Sequence, residues 1–202
     1  EVILYKDGSV QVTDDGRGMP VDIHPEKGKP GVEVILCTLH AGGKFSNKNY
    51  QFSGGLHGVG ISVVNALTKM LEVTIKRGGE VHRIGFKNGE KASDIEVIDT
   101  CGKRNTGTTI RFLPDEQYFD SVNFSVPRLI HLLRAKAVLC PGLAIKFVDE
   151  KGDETHQWCY EHGLEDYLKE ANRGWTLLPV EPFVGSMTGE TEAVDWAVQW
   201  LP

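Results

Sequence analysis

The chain has 202 residues, 40% of them apolar, and a net charge of −6. That length holds one good core, or one domain and part of another. An acidic balance argues against a surface built mainly to grip a phosphate backbone, and no apolar run reaches the roughly 18 residues that a membrane span needs.

The opening Glu1-Val2-Ile3-Leu4-Tyr5 reads as a strand and not as a signal peptide. Lys6-Asp7-Gly8 then reads as a turn, and Ser9 to Thr13 as the second strand of a hairpin. Val10, Val12 and Asp14 share a face by period-two alternation. A carboxylate is thereby aimed toward the core, where burial without donors is costly. Two readings stay open: an Asp that caps the turn at Gly16 and Gly18, or an acceptor for a ligand N–H. Asp15-Gly16-Arg17-Gly18-Met19-Pro20 is a tight, glycine-punctuated loop.

Pro30 to His40 predicts a helix with Val32, Ile35, Leu36 and Leu39 on one face, stopped by Gly42-Gly43. A polar segment over 44–53 leads into Ser53-Gly54-Gly55-Leu56-His57-Gly58-Val59-Gly60, with four glycines between positions 54 and 60. Ile61, Val64, Leu67 and Leu71 follow near helical spacing. Unpaired N–H groups and the positive end of a helix dipole would meet at that point and suit an anion such as a triphosphate. A plain turn fits as well. The loop lacks the Gly-Lys-Ser/Thr of a Walker motif, since Ile61-Ser62 follows its last glycine. It also lacks the buried strand that precedes a Rossmann turn.

Leu71 to Arg77 and Glu80 to Lys87 flank Gly78-Gly79 as a hairpin. Ile95 to Ile98 reads as a strand, Cys101 to Thr106 as a polar loop, and Thr108 to Phe112 as a strand with Thr108, Ile110 and Phe112 on one face. Thr108 is thus a second small polar group looking inward, or a hydroxyl bonded to its own backbone. Ser125 with Pro127 starts a helix that Cys140-Pro141-Gly142 ends. Leu143 to Val148 and Thr155 to Tyr160 read as strands, Leu164 to Ala171 as a helix, the stretch from Asn172 as looser chain with Pro179 and Pro182, and Ala193 to Leu201 as a strand. Cys37, Cys101, Cys140 and Cys159 form no CxxC pair or zinc spacing, as reduced thiols of a cytosolic protein would. The order of elements predicts an α+β fold, with helices on one face of a mixed, mostly antiparallel sheet and a boundary near residue 162.

Asp14-Asp15-Gly16-Arg17-Gly18-Met19-Pro20, Leu39-His40-Ala41-Gly42-Gly43-Lys44-Phe45, Ser53 through Val64 and Thr106-Gly107-Thr108 resemble, in order and spacing, the GHKL ATPase domain of bacterial type II topoisomerases. Met19, Asn47 to Phe52 and Asp195-Trp196-Ala197 are nearer to the B subunit of topoisomerase IV than to the B subunit of gyrase. The resemblance implies a two-layer α/β sandwich over 1–162, the start of a transducer domain over 163–202, and ATP with magnesium as cofactors. Asp14 would accept the adenine amino group with the help of water and Thr108. Gly18 would shape the adenine pocket, with Met19 and Pro20 as its wall. Lys44 and Tyr50 would belong to the lid. Gly55, Leu56, His57, Gly58, Val59, Gly60 and Ile61 would carry the phosphates on backbone amides. Arg17 and Arg77 match inhibitor-contacting positions at the pocket mouth, Arg77 being otherwise a hairpin arginine in solvent.

In the resembling family the glutamate base and the magnesium-holding asparagine lie before the strand at Glu1, and the γ-phosphate lysine lies later. No catalytic residue and no metal ligand is therefore expected within 1–202. The resemblance further implies a cytoplasmic homodimer closed by ATP, a DNA-cleaving A subunit as partner, duplex DNA as substrate and no membrane. A GHKL kinase and a non-hydrolysing ATP-dependent clamp are the alternatives. The first would need a phospho-acceptor helix upstream.

Overall fold

The computed structural model describes residues 1–39, 59–189 and 192–201. They fall into two units, Glu1–Phe124 with Val148–Glu154, and Ser125–Phe147 with Thr155–Pro202.

The strands of the first unit are β1 (Val2–Leu4), β2 (Val10–Asp14), β3 (Thr68–Arg77), β4 (Glu80–Lys87), β5 (Glu90–Lys91), β6 (Glu96–Thr100) and β7 (Gly107–Pro114). They run β5-β4-β3-β7-β2-β1 across one sheet, with β6 also on β4, and every pairing among them is antiparallel. Short polar turns close the hairpins. Asp7 accepts from Ser9 N at 2.8 Å between β1 and β2, and Gly78-Gly79 joins Arg77 to its register partner Glu80.

Helices α1 (Gly31–Cys37) and α2 (Gly60–Ala66) cover one face of this sheet. Val32 and Leu36 of α1 pack with Leu71, Val73, Ile75, Ile84 and Phe86, and Met19, Ile61 and Val64 close the cluster. Burying each such side chain contributes roughly 1.5–3 kcal/mol relative to leaving it exposed. From Leu71 onward β3 alternates regularly, and Glu72, Thr74 and Lys76 take the other face.

Several expectations shift. α1 stops at Cys37 with an extended Thr38 as its cap, so Leu39 is exposed instead of completing the apolar face; Gly42-Gly43 lie outside the described residues. α2 stops at Ala66, and Leu71 points inward from β3 rather than from the helix, because the period-two run Leu71, Val73, Ile75 overrides the helical spacing. On β2, Val10 is buried, but Val12 is 43% exposed and Asp14 is exposed too. Their parity is as expected. Their burial is not, because the apolar layer of α1 and α2 centres on β3 and β4.

The second unit holds α3 (Val126–Leu139), α4 (Leu164–Ala171), most of β8 (Ile145–Asp149) and β9 (Glu154–Trp158), and the hairpin of β10 (Leu178–Thr188) and β11 (Ala193–Trp200). Its core is Ala137, Val138, Ile145 and Tyr160, flanked by Leu133, Trp158 and Leu164. Pro127 sits in the first turn of α3, as the sequence predicts. β10 replaces the looser chain expected there. Proline removes a ladder donor and is tolerated at edges and irregularities, and a register break between Leu178 and Phe183 takes up Pro179 and Pro182.

Candidate functional site

The site residues of the first unit meet where β2 ends and β7 begins. In the ladder Asp14 stands opposite Thr108, and Thr108 stands opposite Ile75 of β3. The Thr108 side chain is buried, whereas Asp14 lies at the exposed strand end. Asp14 Oδ1 accepts from Gly16 N at 2.8 Å, which is the turn-capping role. Oδ2 stays outside that bond, so capping one turn does not use up the carboxylate.

The loop that follows is pinned along its length. Gly18 takes φ 74°, and a Cβ there would stand 2.7 Å from the Lys76 carbonyl oxygen and 3.3 Å from that of Gly107. Only glycine combines that backbone with that approach. Arg77 Nη1 donates to Gly18 O at 2.7 Å, which corrects the picture of Arg77 as a hairpin arginine in solvent. Met19 N donates to Thr108 Oγ1 at 3.2 Å. Pro20 O accepts from Val32 N at 2.8 Å, which ties the loop to the start of α1. Asp14, Gly18, Met19, Pro20, Arg77 and Thr108 are thus gathered around one loop, and exposed Arg17 belongs to the same loop.

Gly107 is a residue that sequence reasoning did not single out for a role of its own. Its φ is 155°, and a Cβ there would meet the Asp14 carbonyl and stand 3.2 Å from Asp15 Cα. The close approach of β2 to β7 at the site depends on that missing side chain.

Of the glycine-rich loop, Val59, Gly60 and Ile61 are described, while Lys44, Tyr50, Gly55, Leu56, His57 and Gly58 lie outside the described residues. Val59 caps α2 without a side-chain bond, Ser62 Oγ donates to Val59 O at 3.0 Å, and Ile61 packs into the core. Asn65, also unassigned from the sequence, is 1% exposed. Its Nδ2 donates to Leu36 O at 3.2 Å and to Gly89 O at 2.9 Å, so it fastens α2 to the end of α1. The available signal was a polar residue four positions after Ile61, on the helix's apolar side.

In the first turn of α1, the side chain of Glu33 is 3% exposed and pairs with Lys29 at 2.8 Å and Lys91 at 3.3 Å. Burial pushes its carboxyl up, but hydrogen bonds from Lys29 and Lys91 outweigh this and hold it below its ordinary value. Among the described residues no group of three His, Cys, Asp or Glu side chains could hold a metal ion.

Residues 1–118 match the family of histidine kinase-, DNA gyrase B- and HSP90-like ATPases. The whole chain is 66% identical to the B subunit of DNA topoisomerase 4 from Salmonella typhimurium and 61% identical to that from Pseudomonas aeruginosa, covering 32% of each. Over 86% of its length it is 47% identical to the B subunit of DNA gyrase from Thermotoga maritima. The chain thus spans about a third of the length of the curated relatives it matches. Among solved structures, the topoisomerase IV ATP-binding domain of Francisella tularensis, in complex with a small-molecule inhibitor, aligns with a TM-score of 0.79 and 46% identity, over 97% of this chain and 51% of that one. With more than half of its residues matched and with this antiparallel sheet and helical layer, the chain belongs to the histidine kinase-, DNA gyrase B- and HSP90-like ATPase family.

Proposed function

We propose that this chain is the ATP-binding region of a type II DNA topoisomerase B subunit, of the topoisomerase IV kind, with 1–162 as the nucleotide domain and 163–202 as the start of a transducer. The observation that carries the reading is the pairing of Asp14 with Thr108 beside the pinned Gly18 loop. The higher identity to the topoisomerase 4 relatives than to the gyrase relative favours the first kind.

The residues present fit an adenine. Asp14 offers a carboxylate oxygen to the amino group, and the Thr108 oxygen already accepts Met19 N–H, so its own O–H is left to donate. Gly18 holds the loop against the backbone of Lys76 and Gly107, where any side chain would collide, and Met19 and Pro20 would flank the base. Lys44 and Tyr50 would cover the nucleotide, Gly55 to Ile61 would bind phosphate through backbone N–H groups, and Arg17 and Arg77 would stand at the mouth. Bound ATP supplies the phosphoanhydride bond that water cleaves. Within this chain the named residues bind and orient. Magnesium would arrive on the phosphates of the nucleotide, and no step within this chain is assigned to it.

In the whole protein, nucleotide binding would close a homodimer around duplex DNA beside a DNA-cleaving A subunit, in the cytoplasm. Among the described residues no helix is long and apolar enough to cross a membrane.

The test is base selectivity. GTP presents a carbonyl where ATP presents an amino group, and that carbonyl would face the Asp14 carboxylate. ATP should therefore bind at least about tenfold more tightly than GTP in calorimetric titration. Equal affinity would refute the adenine assignment.

A further inference from the structure

The Gly18 carbonyl and the Met19 amide belong to one peptide unit. Arg77 Nη1 donates to that carbonyl at 2.7 Å, and the amide donates to Thr108 Oγ1 at 3.2 Å. A peptide is planar, so fixing the direction of its C=O fixes the direction of its N–H. The guanidinium therefore holds one side of the plane and the buried Thr108 hydroxyl the other. The carbonyl has few other ways to turn, because Gly18 is pressed against the backbone of Lys76 and Gly107. Charged donors make the stronger hydrogen bonds, so the Arg77 side is the firmer hold.

We propose that Arg77 is a positioning residue of the nucleotide site. By clamping the Gly18–Met19 peptide it keeps Met19 N–H on Thr108, and so keeps the Thr108 hydroxyl turned outward as a donor next to the Asp14 acceptor. The proposal rests on the adenine reading above. A donor beside an acceptor is what the amino group and a ring nitrogen of adenine require. Arg77 then acts on the base end of the nucleotide through the main chain and not as a positive charge for phosphate.

The two roles separate by experiment. In the 202-residue chain, amide hydrogen exchange of Met19 is read by NMR without nucleotide, and adenosine and ATP are then titrated. Arg77→Ala should speed Met19 exchange about tenfold and weaken adenosine and ATP alike, each about fivefold. Arg77→Lys, which keeps a charged donor, should restore most of both losses. Unchanged Met19 exchange in folded Arg77→Ala overturns the clamp. A loss for ATP several times that for adenosine overturns it too, since Arg77 would then be touching phosphate. If Arg77→Ala does not fold, Arg77→Gln takes its place and should fall between wild type and complete loss; wild-type behaviour overturns the proposal. If the wild-type chain binds neither ligand, the proposed function fails, while Met19 exchange still decides the clamp.

Discussion

Asp14 at the end of β2 faces Thr108 at the start of β7, and its Oδ1 is meanwhile bonded to Gly16 N at 2.8 Å. One carboxylate thus serves a turn and, on the adenine reading, would also accept a ligand N–H, and a single substitution separates the two services. Asp14→Asn keeps an oxygen for Gly16 N but removes the charge and turns a donor toward the ligand. Hydrogen bonds to charged groups are worth about 1.5–3 kcal/mol, so ATP affinity should fall roughly ten- to hundredfold with the fold intact. Calorimetric titration and thermal unfolding measured side by side check this. A stable variant with wild-type affinity would leave Asp14 with its turn alone.

Glu33 predicts a dependence on acid. Burial alone would raise its carboxyl, but the hydrogen bonds from Lys29 and Lys91 hold it below the ordinary value of 4.5. A depressed carboxylate contributes stability that is full above the unfolded value and is lost as pH falls through the folded one. Glu33→Gln should cost about 1–2 kcal/mol at neutral pH, toward the low end for a charged partner because both lysines can turn to water. The gap from wild type should then close as pH drops below about 4.5. Urea unfolding at neutral and acid pH tests it, and a gap that persists unchanged in acid contradicts the assignment.

In the second unit the buried Tyr160 hydroxyl accepts from Arg134 Nε at 2.9 Å and donates to Glu170 at 2.7 Å, which links α3 to α4. Tyr160→Phe removes both bonds but leaves the Arg134–Glu170 ion pair at 3.1 Å. The expected loss is about 1–2 kcal/mol. Arg134→Met in the Tyr160→Phe background should then cost less than in wild type, and strictly additive losses in that cycle would show that the hydroxyl and the guanidinium act separately.

Much of this architecture was legible because its signals were local. Alternation at Leu71, Val73 and Ile75, the Gly78-Gly79 turn and the Ser125-Val126-Pro127 helix start are each written within a few residues. The parity of Asp14 and Thr108 could be counted along their strands, and the ladder pairs them. Burial could not be counted in that way. Val12 and Asp14 share the face of buried Val10 and are nonetheless exposed, since covering is done by distant elements. β5 has only half of the hairpin signature: Asn88-Gly89 is a strong turn signal, but polar Lys87 and Glu90 flank it in place of alternating apolar residues. β10 was hidden by its two prolines. The bond from Arg77 to Gly18 spans 59 positions and has no local signature at all.

Gly107 joins fold and site most directly. It begins β7 opposite Lys76, and a Cβ on it would run into the Asp14 carbonyl and stand 3.2 Å from Asp15 Cα. The obstructing atoms are backbone and cannot swing aside. Its φ of 155° is also one that side chains rarely adopt. Gly107→Ala must therefore push the end of β2 away from β7, at a cost of about 2–3 kcal/mol for the overpacking and the backbone strain. The same displacement separates Asp14 from Thr108, so ATP affinity should fall about tenfold or more in the fraction that remains folded. Gly102→Ala is the control, since nothing lies within 4 Å of a Cβ there, and it should change stability by less than about 0.5 kcal/mol. Denaturant unfolding and titration on the two variants decide the matter. If Gly107→Ala proves as harmless as Gly102→Ala, the close approach of β2 to β7 does not set the site.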